Sequence, residues 1–407
     1  MDVIKGTVAS AFISGEADIE VTEDGFALAS ALDAAKVSWA DVIELGFSDY
    51  TVNVKTKTGA YSFTRLGYDA EPLYNHMLVA YGAKVRKALF VGGNAMATAK
   101  GDTGTLRDVP IEVYDNCLVS LPPDLSARRV PLCFVNGFED KDFGLTVSTI
   151  DGASFSCARL GYEHAPVVKA AQDAVKALRA KAVEQIVALC PSLSGEQASM
   201  LGRLMPEGMA APMGRIREVS PAFAAALEEK IAGTRAAETY KAFQEIASGD
   251  SICVGFKADF GPGFGSSGEG GPDEESGAEI PTEESGAETS APASAYMLWL
   301  IAPAQSGQAC AVEFAGAENE AAATYVYRFD CPWDVFRIRL SMALEAIAFK
   351  RDAIRFSDEE LAKPENEIYR MANDRNEALR LVRSCFAGRA IHRSMDSWRA
   401  RITELLE

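Results

Sequence analysis

The residue types that most often carry chemistry are few in this chain, and they are scattered. There are three histidines, His76, His164 and His392. The eight cysteines are Cys117, Cys133, Cys157, Cys190, Cys253, Cys310, Cys331 and Cys385, and no two lie closer than 16 residues. That spacing contains no C-x-x-C redox or zinc pair, and no H-E-x-x-H or two-Cys-two-His spacing occurs, so no metal site is expected. Gly263-x-Gly265-x-x-Gly268 matches a dinucleotide fingerprint by letter. A working fingerprint must open a helix whose N-terminus holds the pyrophosphate. Here Pro272-Asp-Glu-Glu275 and further acids follow, so the match reads as chance. Neither G-x-x-x-x-G-K-[ST] nor G-x-S-x-G is present. No catalytic, cofactor-binding or metal-ligating residue is assigned on these grounds, and no cofactor is expected.

Arginine is the exception to this scatter. Residues 370–401 carry eight arginines against three acids, a local net charge of +5. The candidate anionic-partner patch drawn from this stretch is Arg380, Arg383, Arg389, His392, Arg393 and Arg399. A solvated helix face laced with salt bridges explains the same composition. An anionic partner, or docking of the chain's own acidic stretch, are the sharper readings. The setting is acidic: 407 residues with 40 Lys plus Arg against 58 Asp plus Glu, or −18. Such a balance argues against nucleic acid and anionic membranes as general partners. Residues 261–295 contribute eight of those acids and no Lys or Arg, and the word ESGAE recurs at 275–279 and 284–288. Low hydrophobicity with one-sided charge predicts a disordered acidic loop over 261–293.

The elements that would position these side chains begin with an internal repeat. Residues 60–73 read AYSFTRLGYDAEPL and residues 154–167 read SFSCARLGYEHAPV, an offset of 94 for Arg65-Leu-Gly-Tyr68 and Arg159-Leu-Gly-Tyr162. Upstream, Ile19-Glu20-Val21 pairs with Ile111-Glu112-Val113, Val37 with Val130, and Thr51-Val52 with Thr146-Val147. In the first copy, alternating apolar and polar residues predict strands at 18–22, 25–29, 50–54 and 60–63. Asp24-Gly25 is a hairpin signal, with Asp115-Asn116 in its place in the second copy. Each copy then closes with a helix. Tyr74, Leu78, Tyr81, Val85 and Ala88 form one apolar stripe. Val168, Ala171, Val175, Leu178, Ala182, Ile186 and Leu189 form the other. Pro72 and Pro166 fall in the first turn, where a helix tolerates proline. The shared Arg-Leu-Gly-Tyr is read as a strand-to-helix corner, with Gly for an unusual backbone angle and Tyr packing beneath the helix.

Several short antiparallel strands capped by one amphipathic helix, in about 90–100 residues, resemble the pleckstrin-homology-like fold. The resemblance is one of layout and covers about residues 1–190. It implies a bent sheet plugged by its helix. Lipid-binding members of that fold place Lys and Arg in the loop between the first two strands. The matching stretch is taken as 14–18, which carries Glu16 and Asp18, and in the second copy as 100–104, with Lys100 alone. Phosphoinositide binding is therefore not expected. The other common use of the fold, as a protein-binding platform, is.

Beyond the repeat, Ser194-x-x-Gln197 and Ser357-x-x-Glu360 are capping boxes, and Ser220-Pro221 starts a helix. Three strand-like runs follow the acidic stretch. A helix carrying Phe336, Leu340, Leu344, Ile347 and Ile354 comes next. Residues 357–407 are expected to be helical, with a final stripe of Ile391, Met395, Trp398, Ile402 and Leu405. The first residues show no basic stretch before an apolar core. The most apolar run, 296–302, is closed by Pro303, short of the about 20 residues of a membrane span. A cytoplasmic location is expected.

The expected class is α+β: tandem pleckstrin-homology-like antiparallel modules, each closed by a C-terminal helix, with a helical middle segment and a helical tail. The boundaries are 1–90 for the first module, 91–191 for the second and 192–249 for a helical connector. Strands plus a helix occupy 250–356, a possible degenerate third module, and the tail is 357–407. The function expected is a non-enzymatic scaffold with a protein partner. The alternatives are an enzyme with a site between modules, and a nucleic-acid-associated protein using the arginine-rich helices. The sequence does not set the oligomeric state.

Overall fold

A computed structural model describes residues 3–258, 296–315 and 323–407. The 261–293 expectation lies outside the described residues. The chain divides into two compact units. Unit 1 comprises 1–181 and 334–386; unit 2 comprises 182–333 and 387–407.

Unit 1 opens with β1 (Ile4–Ala9), β2 (Ser14–Val21), β3 (Gly25–Ser30), β4 (Ala34–Ser38), β5 (Val42–Ser48), β6 (Thr51–Thr56) and β7 (Ala60–Thr64), followed by α1 (Ala70–Ala88). They form one antiparallel sheet in the order β4-β3-β2-β1-β7-β6-β5. The second copy runs β8 (Ala97–Thr103), β9 (Leu106–Val113), β10 (Cys117–Ser120), β11 (Arg128–Pro131), β12 (Val135–Lys141), β13 (Gly144–Thr149) and β14 (Ser154–Cys157), followed by α2 (His164–Leu189). Its sheets are β11-β10-β9-β8 and β12-β13-β14, joined by the single bridge Asp102↔Ala158.

The duplication is written into the strand register. Val21↔Phe26 answers Val113↔Leu118, Phe26↔Val37 answers Leu118↔Val130, and Val52↔Phe63 answers Leu145↔Cys157. Even the irregularity at the start of β5 recurs at the start of β12, after Val42↔Thr56 and Val135↔Thr149. The β5–β6 and β12–β13 hairpins each turn on two residues with positive φ, Asp49-Tyr50 and Asp142-Phe143, the backbone that a two-residue hairpin demands. In this register Thr51-Val52 answers Gly144-Leu145. The expected pairing with Thr146-Val147 is slipped by two residues, which keeps side chains on the same face and so left no contradiction in the pattern.

The two stretches matched to lipid-binding loops are also displaced. Residues 14–18 lie inside β2, and the loop between β1 and β2 is the uncharged Ser10-Ala-Phe-Ile13. Lys100 lies inside β8, and the second loop is Gly104-Thr105.

In unit 2, the end of α2 packs with α3 (Gly195–Leu204), β15 (Ala211–Pro212), α4 (Met213–Val219), α5 (Pro221–Ala232) and α6 (Ala237–Ile246) around one core. Both the Ser194 capping box and the Ser220 cap form. The sheet runs in chain order through β16 (Cys253–Ala258), β17 (Tyr296–Pro303), β18 (Ala309–Ala315) and β19 (Ala323–Arg328).

From Asp334 the chain returns to unit 1 with α7 (Trp333–Ala346), α8 (Asp352–Arg355), α9 (Asp358–Leu361), α10 (Glu367–Arg375) and α11 (Glu377–Ser384). Helix α10 inserts Met371 into the first module's core. It is pinned there by Ser38 to Glu367 (2.9 Å), Lys84 to Glu367, Arg370 to Asp41 (3.0 Å) and Lys57 to Asp374 (2.8 Å). The chain ends in unit 2 with β20 (Phe386–Ile391) on the edge beside β19, and α12 (Met395–Leu406). The stretch expected to be helical to its end thus contains a strand. Its residues Phe386-Ala-Gly-Arg-Ala-Ile391 are poor in helical periodicity, and Gly388 has φ +147°. Trp398, Ile402 and Leu405 of α12 are buried as their spacing required. With twelve α-helices and four antiparallel sheets among the described residues, the class is α+β. No helix among them is long and apolar enough to cross a membrane.

Candidate functional site

The repeated corner is built alike in both modules. Arg65 and Arg159 have φ of +55° and +56°, and Gly67 and Gly161 both have φ of +59°. Leu66 and Leu160 are buried. The leucine sits where the first strand of its module has a glycine. A Cβ on Gly6 would lie 2.6 Å from Leu66 Cδ2, and one on Gly101 would lie 2.8 Å from Leu160 Cδ2. The tyrosines do not pack beneath the helices: Tyr68 and Tyr162 are both 102% exposed. Leucine takes that role because its side chain fills the glycine notch, and the next three residues form a 3₁₀ turn that carries the tyrosine outward. Arg159 lies 3.5 Å from Asp102; in the place of Asp102 the first module has Thr7, which offers Arg65 no carboxylate.

The six residues of the predicted arginine patch fall in two compact units. Arg380 and Arg383 belong to unit 1, and Arg389, His392, Arg393 and Arg399 to unit 2. Arg383 is committed to Asp358 (2.8 Å) and the Ile354 carbonyl, and Arg399 to Glu245 (3.0 Å). Arg389 and Arg393 are exposed. His392 is turned toward a carboxylate of its own chain rather than toward an external anion. Its Nε2 lies 3.1 Å from Oε2 of the buried Glu313, which also accepts from Thr324 Oγ1. Trp398 Nε1 donates to Thr324 Oγ1 at 2.8 Å. A carboxylate can only accept, so the imidazole presents its Nε2–H to it. Hydroxyl, carboxylate and imidazole here resemble a nucleophilic triad, but Thr324 is 0% exposed. The network ties β20 and α12 to the sheet.

Arg380 instead leads to a different cleft within unit 1. Residues from β11, from the β13–β14 turn, from α7 and from the α10–α11 junction line an open cleft of about 350 Å³, at the small end of ligand clefts. Its lining holds five arginines, Arg128, Arg129, Arg339, Arg375 and Arg380, against Asp151, Asp374 and Glu377. The acids are largely occupied: Asp374 by Lys57, Glu377 by Arg339 at 3.4 Å, and Asp151 as acceptor for Thr149 and the Ala153 amide. Among the described residues, three of these arginines have only neutral partners. Arg128 donates to the Ser154 carbonyl, Arg380 to the carbonyls of Asn373 and Asp374, and Arg375 to the Met371 carbonyl (3.1 Å) and Tyr81 Oη (2.7 Å).

Arg375 is the unusual member. It is 7% exposed, and among the described residues it faces no carboxylate at ion-pair distance. Removing a charge from water without a counterion is costly. Its guanidinium lies 5.7 Å from the Tyr81 ring centroid, a partial compensation. Burial pushes the Tyr81 phenol above its ordinary pKa, while Arg375 pulls it back. The Nε–H groups of Arg129, Arg339 and Arg375 are buried and lack an acceptor. Arg375 reaches this place because α10 stops at Asn376, whose side chain caps α11 through the Leu379 amide at 3.0 Å.

The groove on the first sheet that contains Arg65 sets Lys5 and Arg65 against Glu16 and Asp18. No disulfide links the described cysteines. Burial pushes the Cys117 thiol up and the Cys157 thiol to about 11, which holds both in the unreactive form. Among the described residues no group of three His, Cys, Asp or Glu could hold a metal ion. Sequence reasoning singled out Arg380 of the cleft but not Arg128, Arg129, Arg339 or Arg375. The adjacent pair Arg128-Arg129 leading into the apolar Val130-Pro-Leu132 was the available signal. Compared with protein-family models and with curated proteins, the chain matches none.

Proposed function

We propose that this protein is a non-enzymatic scaffold built on two pleckstrin-homology-like modules, and that it engages an anionic segment of a protein partner through the arginine-lined cleft of unit 1. The module reading is supported by seven strands ordered 4-3-2-1-7-6-5, closed by a C-terminal helix and repeated register for register. The single observation that carries the binding reading is Arg375, a buried cation among the residues lining the cleft that has no counterion among the described residues. A bound carboxylate or phosphate supplies one, and charge-assisted bonds to planar guanidinium groups are among the strong ones. The uncharged β1–β2 and β8–β9 loops speak against phosphoinositide headgroups as the partner.

The test is comparative co-purification from the native cell. The Arg128→Ala, Arg380→Ala double variant removes two exposed cations without touching a core. Loss of the partner from this variant, with retention by the exposed control Arg215→Ala, is the expected result. A partner set unchanged by the double variant refutes the reading.

A further inference from the structure

The charge on the cleft narrows the chemistry of what it takes. This inference rests on the binding reading above and specifies its ligand. We infer that the cleft recognises a phosphoryl dianion, carried as a phosphorylated side chain on a protein partner. Five arginines against three carboxylates leave the lining at +2. A phosphomonoester carries about −1.5 to −2 at neutral pH, so one such group neutralises the lining, whereas one carboxylate leaves it half compensated. The type of donor suits the same group. Arg128 and Arg380 are exposed at the cleft, and Arg375 lines its wall in a buried position. Planar forks of this kind match phosphate oxygens bidentately.

A cleft of about 350 Å³ has room for one phosphoryl group, whereas nucleic acid would need a stripe of cations along the surface. The background of −18 does not forbid a local anion site. At physiological salt, charge is felt over only about 8 Å, so the ligand senses the arginines at hand rather than the chain as a whole.

Isothermal titration calorimetry on the full chain tests this with four probes. They are inorganic phosphate, a blocked Gly/Ala peptide bearing one phosphoserine, the same peptide with glutamate in that place, and acetate. One-to-one binding of phosphate and phosphopeptide, in competition with each other, is expected. The glutamate peptide binds at least tenfold more weakly, and acetate gives no saturable heat. Arg128→Ala with Arg380→Ala weakens the phosphopeptide at least tenfold. Arg375→Met, which keeps the stem and removes the charge, abolishes saturable binding while far-UV circular dichroism stays unchanged. If Arg375→Met does not fold, the exposed double variant decides alone.

The inference is overturned if glutamate and phosphoserine peptides bind equally, or if phosphate affinity ignores the double variant. In a separate fifth titration, tighter binding to phosphoinositide vesicles than to the phosphopeptide overturns the protein-borne source. Failure of the two readings is distinguishable. Equal, cleft-dependent binding of the glutamate peptide sinks the phosphoryl inference and leaves the partner reading standing. Cleft-dependent phosphate binding, with partners retained by the double variant, does the reverse.

Discussion

The two modules of unit 1 share a register but have not kept the same work. In the first, β1 pairs with β7 over Thr7↔Thr64, Val8↔Phe63 and Ala9↔Ser62, which makes one continuous sheet. In the second that seam is a single bridge and the sheet is divided. The letters that match are also used differently. Glu20 of the first copy is exposed. Glu112 of the second is buried, accepting from Arg86 Nε at 2.8 Å and Tyr114 Oη at 2.7 Å, and so ties α1 of one module to β9 of the other. Duplication let the second copy lend its β11 edge to the cleft, while the first supplied the surface on which α10 is pinned. What the copies share is therefore the frame, and what separates them marks the places with a further role.

The largest effect expected from breaking that frame is in the corner. Leu66→Ala and Leu160→Ala each empty a buried leucine site and should cost about 3 kcal/mol. Chemical denaturation should show similar losses for the two. A loss in only one module would mean that the corners are not equivalent.

Filling the notch from the other side comes next. Gly6→Ala and Gly101→Ala crowd the same leucines, with Thr64 and Ala158 carbonyl oxygens 3.3 and 3.0 Å from the added carbon. Overpacking of this order should cost about 2 kcal/mol. Combining Gly101→Ala with Leu160→Ala should cost less than the sum of the two, since each relieves the other. Strict additivity in a double-mutant cycle would show that the leucine and the glycine do not meet.

Glu112 should show itself in acid. Burial acts to raise its pKa, but the bonds from Arg86 and Tyr114 and the Arg86 charge outweigh it and hold the carboxyl below its ordinary value. A depressed folded-state value stabilises the fold fully above the ordinary carboxylate range. That contribution is lost as pH falls through the lower folded value. Glu112→Gln should therefore cost about 1 kcal/mol at neutral pH, after allowing for the partly exposed Arg86, and should flatten the acid limb of a stability–pH profile. An acid limb identical to that of the unsubstituted protein would refute the assignment.

The smallest effects belong to the exposed corner residues. Arg65→Ala, Tyr68→Ala and Tyr162→Ala should move stability by no more than about 0.5 kcal/mol. Arg159→Ala should do the same, because its pairing with Asp102 is solvent-screened. A larger shift from Tyr162→Ala measured by thermal unfolding would mean that the side chain packs after all.

How much was readable from sequence follows the range of the interactions involved. Arg-Leu-Gly-Tyr announced the repeat because four consecutive letters survive in both copies, and its glycine was read correctly from a local backbone need. The tyrosine was misplaced because the notch that decides which side chain turns inward is made by Gly6 and Gly101, some 60 residues upstream. The caps at Ser194, Ser220 and Ser357 were legible for the same local reason. His392 looked like part of a basic surface until the fold set Glu313 beside it. The cleft was hidden altogether: only tertiary structure brings Arg128 to Arg375, and the basic count over 370–401 pointed to a surface rather than to a wall.

Nitrogen-15 spectra of the arginine Nε–H groups offer the most direct test of the cleft as a binding site. The titrant is inorganic phosphate, added at constant ionic strength. The account predicts saturable shifts for Arg128, Arg375 and Arg380, with the signals of Arg65 and Arg159 at the repeated corners unmoved. Uniform small drifts across all arginines, or shifts confined to Arg65 and Arg159, would contradict it.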